Sequence, residues 1–295
     1  MKKLKWMPAA TAMSAVLLLA ACGNDSTDTK DATSSKDLGS IDLAYVEWDS
    51  EVASTYVVAE VLESVGYDVD ITPLDNAIMW EAVSKGEADA MVSGWLPATH
   101  AAQFEKYGAD IADLGPNLKG AKIGFVVPEY MEVTSIADLS TEASSTITGI
   151  EAGAGVVAAA ERALEAYPNL ASWSLQTSSS GAMTVALEQA IKNEEEIIVT
   201  GWSPHWKFAN YDLKYLEDPE GVFGGEENIH TFVRPNLEQE SPDAFKILDA
   251  FEWTTEDIEE VMLDIYSGTK PKEAAQKWIE SNEDRVNNWT EGIEK

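Results

Sequence analysis

Ser93-Gly94-Trp95-Leu96-Pro97-Ala98-Thr99-His100 decides how this chain is read, and it has an echo at Thr200-Gly201-Trp202-Ser203-Pro204-His205-Trp206. In each copy an apolar run, Ala88 to Val92 or Ile197 to Val199, reads as a short buried strand. Gly-Trp-x-Pro follows where the strand must stop, because proline cannot donate to a central ladder. Ligands of open α/β sheets bind just beyond the carboxyl ends of strands, so a tryptophan placed there is aimed at a cleft. A lone tryptophan in such a place is more often a core or interface aromatic. The same context occurring twice, about a hundred residues apart, favours two facing lobes.

Outward from these motifs the pattern alternates strand and helix. Ile41 to Val46 reads as a strand ending in Glu47-Trp48-Asp49-Ser50, with Asp49 or Ser50 capping a helix from Glu51 to about Val65 that Gly66 stops. Tyr67 to Thr72, Asn76 to Ser84 and Ala88 to Ser93 continue as strand, helix and strand, which implies a parallel sheet with right-handed crossovers. Leu114 to Gly120 reads as a connector before a strand over Ala121 to Val127. A second block then has strands at Thr146 to Ile150, Ser172 to Thr177 and Ile197 to Thr200, and helices at Val156 to Tyr167 and Gly181 to Lys192, the latter capped from Ser178-Ser179-Ser180. After a loop and a strand over Ile229 to Arg234, three or four helices are expected to return to the first lobe. The expected division is 41–120 and 219–295 for one lobe and 121–218 for the other.

The chain has 295 residues, enough for two lobes, and carries 20 Lys and Arg against 52 Asp and Glu, a formal net charge of -32. That charge argues against nucleic acid or an anionic membrane surface as partner and is compatible with a cationic or zwitterionic ligand. Cys22 is the only cysteine, so no intramolecular disulfide can form. Lys2, Lys3 and Lys5 precede an apolar stretch from Ala9 to Ala20 that closes in Leu19-Ala20-Ala21-Cys22-Gly23. This resembles the bacterial lipobox and implies a signal peptide over 1–21, cleavage before Cys22 and lipidation of that cysteine. The polar run that follows, over 22–40, reads as a disordered tether.

Trp48, Trp95 and Trp202 all fall at strand ends and could form an aromatic box for a quaternary ammonium, which has no N–H to donate and needs ring faces. Glu151-Ala152-Gly153-Ala154-Gly155-Val156 is a glycine turn opening a helix, whose free N–H groups suit a small anion. It lacks the third glycine of a dinucleotide fingerprint and the Lys-Ser/Thr of a P-loop. A tight βα turn of purely structural use stays open for it. His100 is a candidate extra donor to a carboxylate, or simply a capping residue. His205 and His230 have no metal-ligand spacing, and no cofactor is expected.

Taken together, Leu43 to Glu51, Ser93 to His100, Gly149 to Val156 and Val199 to Trp206 resemble the extracytoplasmic glycine betaine and proline betaine-binding lipoproteins of osmoregulatory ABC importers. The likeness runs from about Ile41 to Trp289. It implies an α/β, two-lobed periplasmic-binding-protein fold of type II character, each lobe a mainly parallel sheet flanked by helices, with ligand in the cleft. It also implies that Trp48, Trp95 and Trp202 enclose the trimethylammonium, and that His100 and the Gly155 and Val156 amides hold the carboxylate. Some relatives carry Ile where Val156 stands, which leaves the backbone donor unchanged, and some have the two halves in swapped order. The implied partners are a membrane permease and an ATPase, with the lipid anchor on the outer face of the cell membrane, and no enzyme activity is implied. The same fold holding carnitine, choline or proline is an alternative. A secreted α/β hydrolase is another, although the chain offers no nucleophile-base pair for it.

Overall fold

The computed structural model describes residues 38–293. The expected leader, Cys22 and all but the last residues of the expected tether lie outside them. β1 (Ser40–Tyr45), α1 (Asp49–Val65), β2 (Asp68–Pro73), α2 (Asn76–Lys85), β3 (Ala90–Leu96) and α3 (Ala101–Tyr107) form the first alternating series. The long β4 (Ala112–Pro128) leads into the second: β5 (Thr146–Gly149), α4 (Gly155–Ala166), β6 (Ser174–Thr177), α5 (Ser180–Asn193) and β7 (Val199–Ser203). Then follow α6 (Trp206–Asn210), β8 (Leu213–Tyr215), β9 (Glu227–Val233), α7 (Leu237–Glu240), α8 (Pro242–Ala250), α9 (Thr255–Tyr266), α10 (Pro271–Ser281) and α11 (Glu283–Trp289).

Among the described residues the strands run β2-β1-β3-β9-β4-β7-β5-β6, with β8 paired to β4. The wings are parallel, as expected: β1 with β2 and β3, and β5 with β6 and β7. The middle is antiparallel, because β9 lies between β3 and β4 and β4 continues onto β7. The sheet is therefore mixed rather than mainly parallel. β4 changes partner along its length, pairing with β9 as far as Ala121 and with β7 from Lys122 onward.

Leu114 to Gly120, expected as a connector, belongs to this strand. Its turn-like residues are absorbed as ladder irregularities, with register shifts around Gly115, Pro116 and Gly120 and a positive φ at both glycines. The Gly-Trp-x-Pro motifs also differ from expectation. β3 and β7 run through their tryptophans to the residue before the proline, which is held extended by its neighbour's ring. At the amino end, Leu38 already donates to the Gly66 carbonyl at 3.1 Å and Ser40 opens β1, so the ordered chain begins before Ile41.

α1 carries buried residues around most of its circumference, including Ala53, Val57, Val58, Val61, Leu62 and Val65. A helix apolar on so many sides must be covered on both. The sheet covers one side, and α9 and α10, returning from the carboxyl end, cover the other. Each fully buried Val or Leu contributes about 1.5–3 kcal/mol. Gly66 ends the helix with φ 111°, its N–H turned back to the Glu63 and Leu62 carbonyls. No helix among the described residues is long and apolar enough to cross a membrane.

Candidate functional site

A small cavity lies where the two series meet. Trp48, Trp95, Trp202, His100, Gly155 and Val156 all line it, together with Ser50, Thr99, Ile123, Ile150 and Ala154. Trp95 comes from the end of β3 and Trp202 from β7, while Trp48 sits at the N-cap of α1, just past β1. All three rings are buried. The helix therefore starts two residues earlier than expected, and Asp49 and Ser50 lie within its first turn rather than capping it.

His100 is fully buried and closes the loop after β3. The Trp95 N–H donates to its Nδ1 at 3.0 Å, and its own N–H donates to the Trp95 carbonyl at 2.9 Å. Because Nδ1 accepts, the ring proton must reside on Nε2. That atom has no protein partner among the described residues. Burial pulls the pKa down to about 3, so the ring is a neutral donor near neutrality. Its face stacks on Trp48, with centroids 5.9 Å apart.

The glycine turn supplies the opposite wall. Gly155 and Val156 open α4 behind Ala154, which offers no side-chain cap. The N–H groups of Val157 and Ala158 close onto the Ala154 carbonyl, whereas those of Gly155 and Val156 have no acceptor among the described residues. At a helix amino terminus such free donors favour an anion. Gly155 is packed so tightly on Thr99 that an added Cβ would lie 2.5 Å from the Thr99 carbonyl oxygen. Thr99 is braced in turn by buried Glu227 on β9, which accepts from its N–H at 3.0 Å and its hydroxyl at 2.9 Å. Two further bonds join the turn to the first series: Trp48 Nε1 donates to Glu151, and Asn76 Nδ2 donates to the Gly153 carbonyl at 3.1 Å.

A second layer stands behind the tryptophans. Asp49 accepts from Trp206 Nε1 at 2.8 Å and from Ser180 Oγ at 3.2 Å, and His205 Nε2 lies 3.4 Å away. Burial pushes its carboxyl up, but His205, Trp206 and Lys207 outweigh this and hold it below the usual carboxylate range. Trp206 does not line the cavity. Its ring stacks on Tyr266 of α9 with centroids 3.7 Å apart. Lys207 is fully buried, its Nζ 4.3 Å from the Trp202 ring centroid and 3.3 Å from the Trp202 carbonyl oxygen. Glu51, also buried, accepts from the Val46 N–H at 2.6 Å, and burial pushes its carboxyl up to about 8.

Sequence reasoning did not single out Thr99, Glu227, Asp49 or Lys207 for the site. Glu227 is 128 positions from the residue it holds, and no local pattern marks such a pair. Lys207 carries no pattern that separates it from a surface cation at a strand-to-helix junction.

The chain can be placed among known proteins on this geometry. It is 50% identical over 159 residues to the glycine betaine/carnitine transport binding protein GbuC of Listeria monocytogenes, an alignment taking in 54% of this chain and 53% of that one. It thus spans about half the length of that curated relative. The crystal structure of lactococcal OpuAC, closed on glycine betaine, superposes with a TM-score of 0.84 at 56% identity, covering 86% of this chain and all of that one. The glycine/betaine/L-proline-binding protein ProX of Borrelia burgdorferi gives 0.82 at 35% identity, covering 85% and 96%. Such proteins serve transport and are not enzymes. Residues 39–281 match the family model described as the substrate binding domain of an ABC-type glycine betaine transport system, and the chain belongs to that family.

Proposed function

We propose that this protein captures glycine betaine, and related betaines, outside the cell and delivers it to the permease and ATPase subunits of an ABC importer. The observation that carries the reading is one small cavity with two unlike ends. Three buried tryptophans offer faces for a quaternary ammonium, and His100 Nε2 with the Gly155 and Val156 N–H groups offers unpartnered donors for a carboxylate. The donors favour a zwitterion over a bare cation such as choline. Residues 41–120 with 219–295 form one lobe in this reading and 121–218 the other, with the partner change on β4 and the return through β9 as natural hinges. Lipidated Cys22 and the tether behind it hold the protein to the outer face of the membrane.

Calorimetric titration with glycine betaine, choline and proline at one salt concentration tests this. Saturable one-to-one binding of betaine, with the others weaker, is the expected result. Silence toward betaine while another solute binds would overturn the ligand assignment. In the same assay His100→Leu is expected to weaken betaine by roughly tenfold or more, the value of a hydrogen bond to a charged group, and choline much less. Equal losses would remove His100 from the carboxylate site.

A further inference from the structure

A buried ammonium beside an aromatic cage built for cations calls for an explanation. Lys207 does not line the cavity that Trp202 lines, yet its Nζ is 4.3 Å from the Trp202 ring centroid. Its other near neighbours are the Trp202 carbonyl oxygen and the Phe208 ring, 5.2 Å from Nζ to centroid. No carboxylate lies within ion-pairing distance of Nζ among the described residues.

We infer that Lys207 is a specificity-determining residue, a buried ammonium beside Trp202 that disfavours quaternary ammonium ions lacking a carboxylate relative to zwitterions. The inference rests on the assignment of Trp202 to the cation end of the site. A quaternary nitrogen within about 6 Å of the far face of the ring would stand roughly 10 Å from Nζ. At an effective dielectric of about 20, that repulsion weakens a net cation by roughly tenfold or more. A betaine carries its carboxylate a few ångströms farther off, and attraction to that charge cancels most of the effect, leaving about twofold. The charge filters by net charge without touching the ligand.

The filter is titratable. Burial lowers the Lys207 pKa to about 7, with the Asp49 carboxylate opposing. The charged group acting on it is Asp49 from α1, held ionised; His205 beside it is brought down to about 4 by burial and Lys207 and is therefore neutral; Glu259 of the packed helix α9 meets the His205 backbone, and burial raises its carboxyl. Below about pH 7 Lys207 is charged and repels a cation; above it the repulsion fades. Affinity for choline should therefore rise with pH, whereas affinity for betaine should stay nearly level.

The test measures binding of choline and glycine betaine to the wild-type protein and to Lys207→Met, from pH 6 to pH 8.5. Choline affinity should strengthen several-fold more across that range in the wild type than in Lys207→Met, whose residual rise reports Glu51, the buried carboxyl that burial pushes up to about 8. At pH 6 the variant should bind choline about tenfold better than the wild type, with betaine changed by no more than about twofold. A buried ammonium without an ion-pair partner is costly to desolvate, so an unbranched apolar side chain of similar length should be tolerated there and the variant should fold. Should it not fold, proton release by the wild type at pH 7, read by calorimetry in buffers of different ionisation enthalpy, decides the question: choline should expel a proton fraction and betaine almost none. A level wild-type choline profile, or an unchanged choline-to-betaine ratio in the variant, overturns the inference, as does choline binding too weak to detect in both proteins. Absence of betaine binding by the wild type would instead overturn the ligand assignment beneath it.

Discussion

Gly155→Ala is expected to weaken glycine betaine binding by roughly ten- to a hundredfold, the ~1–3 kcal/mol of an overpacked contact, while the unliganded protein stays folded. The new Cβ would stand 2.4 Å from Thr99 Cγ2 and 2.5 Å from the Thr99 carbonyl oxygen. A side chain could rotate away, but a backbone oxygen whose own residue is bonded to buried Glu227 cannot. The collision lies between α4 and the loop after β3, where the two series come together over the cavity. In the two-lobed reading proposed above, it penalises the approach of the two series rather than the folding of either. Gly181→Ala, with no atom within 4 Å of the added Cβ, is the matched control and should bind normally. Titration together with thermal melting separates the outcomes. Unchanged affinity in Gly155→Ala would mean that ligand binds without this approach.

The second large effect belongs to the aromatic walls. Trp95→Ala and Trp202→Ala should each weaken betaine by roughly 2 kcal/mol, or about thirtyfold, because cation–π contacts gain strength once water is excluded, as around these buried rings. Trp48→Ala should lose a comparable amount, and it also gives up the bond from its indole to Glu151. Phenylalanine at the same positions should restore part of the loss, since a smaller ring still offers a face. Affinity unchanged in all three alanine variants would rule out the cage.

Much of this was legible because it is local. Gly66 marks a helix end through its left-handed φ, Ser179 caps α5 by accepting from the Ala182 N–H at 3.2 Å, and the two Gly-Trp-x-Pro motifs mark the cavity rim. The aromatic walls, the histidine and the glycine turn could be named because each sits in a short motif that also resembles a known family. What stayed hidden depends on partners far along the chain. β4 reads as a broken segment because Gly115, Pro116 and Gly120 punctuate it, and only pairing with β9, more than a hundred positions on, draws it into one strand. Asp49 has the residue type and place of a helix cap, yet its oxygens turn to Trp206 of α6 and Ser180 of α5. Lys207 looks like an ordinary surface cation until β7 and α6 fold it beneath Trp202.

The most direct test of the central claim is a crystal structure of the protein grown with glycine betaine. The quaternary nitrogen should lie among the faces of Trp48, Trp95 and Trp202, and the carboxylate within hydrogen-bond distance of His100 Nε2 and the Gly155 and Val156 N–H groups. Betaine bound elsewhere, or turned so that its carboxylate meets the tryptophans, would contradict the account.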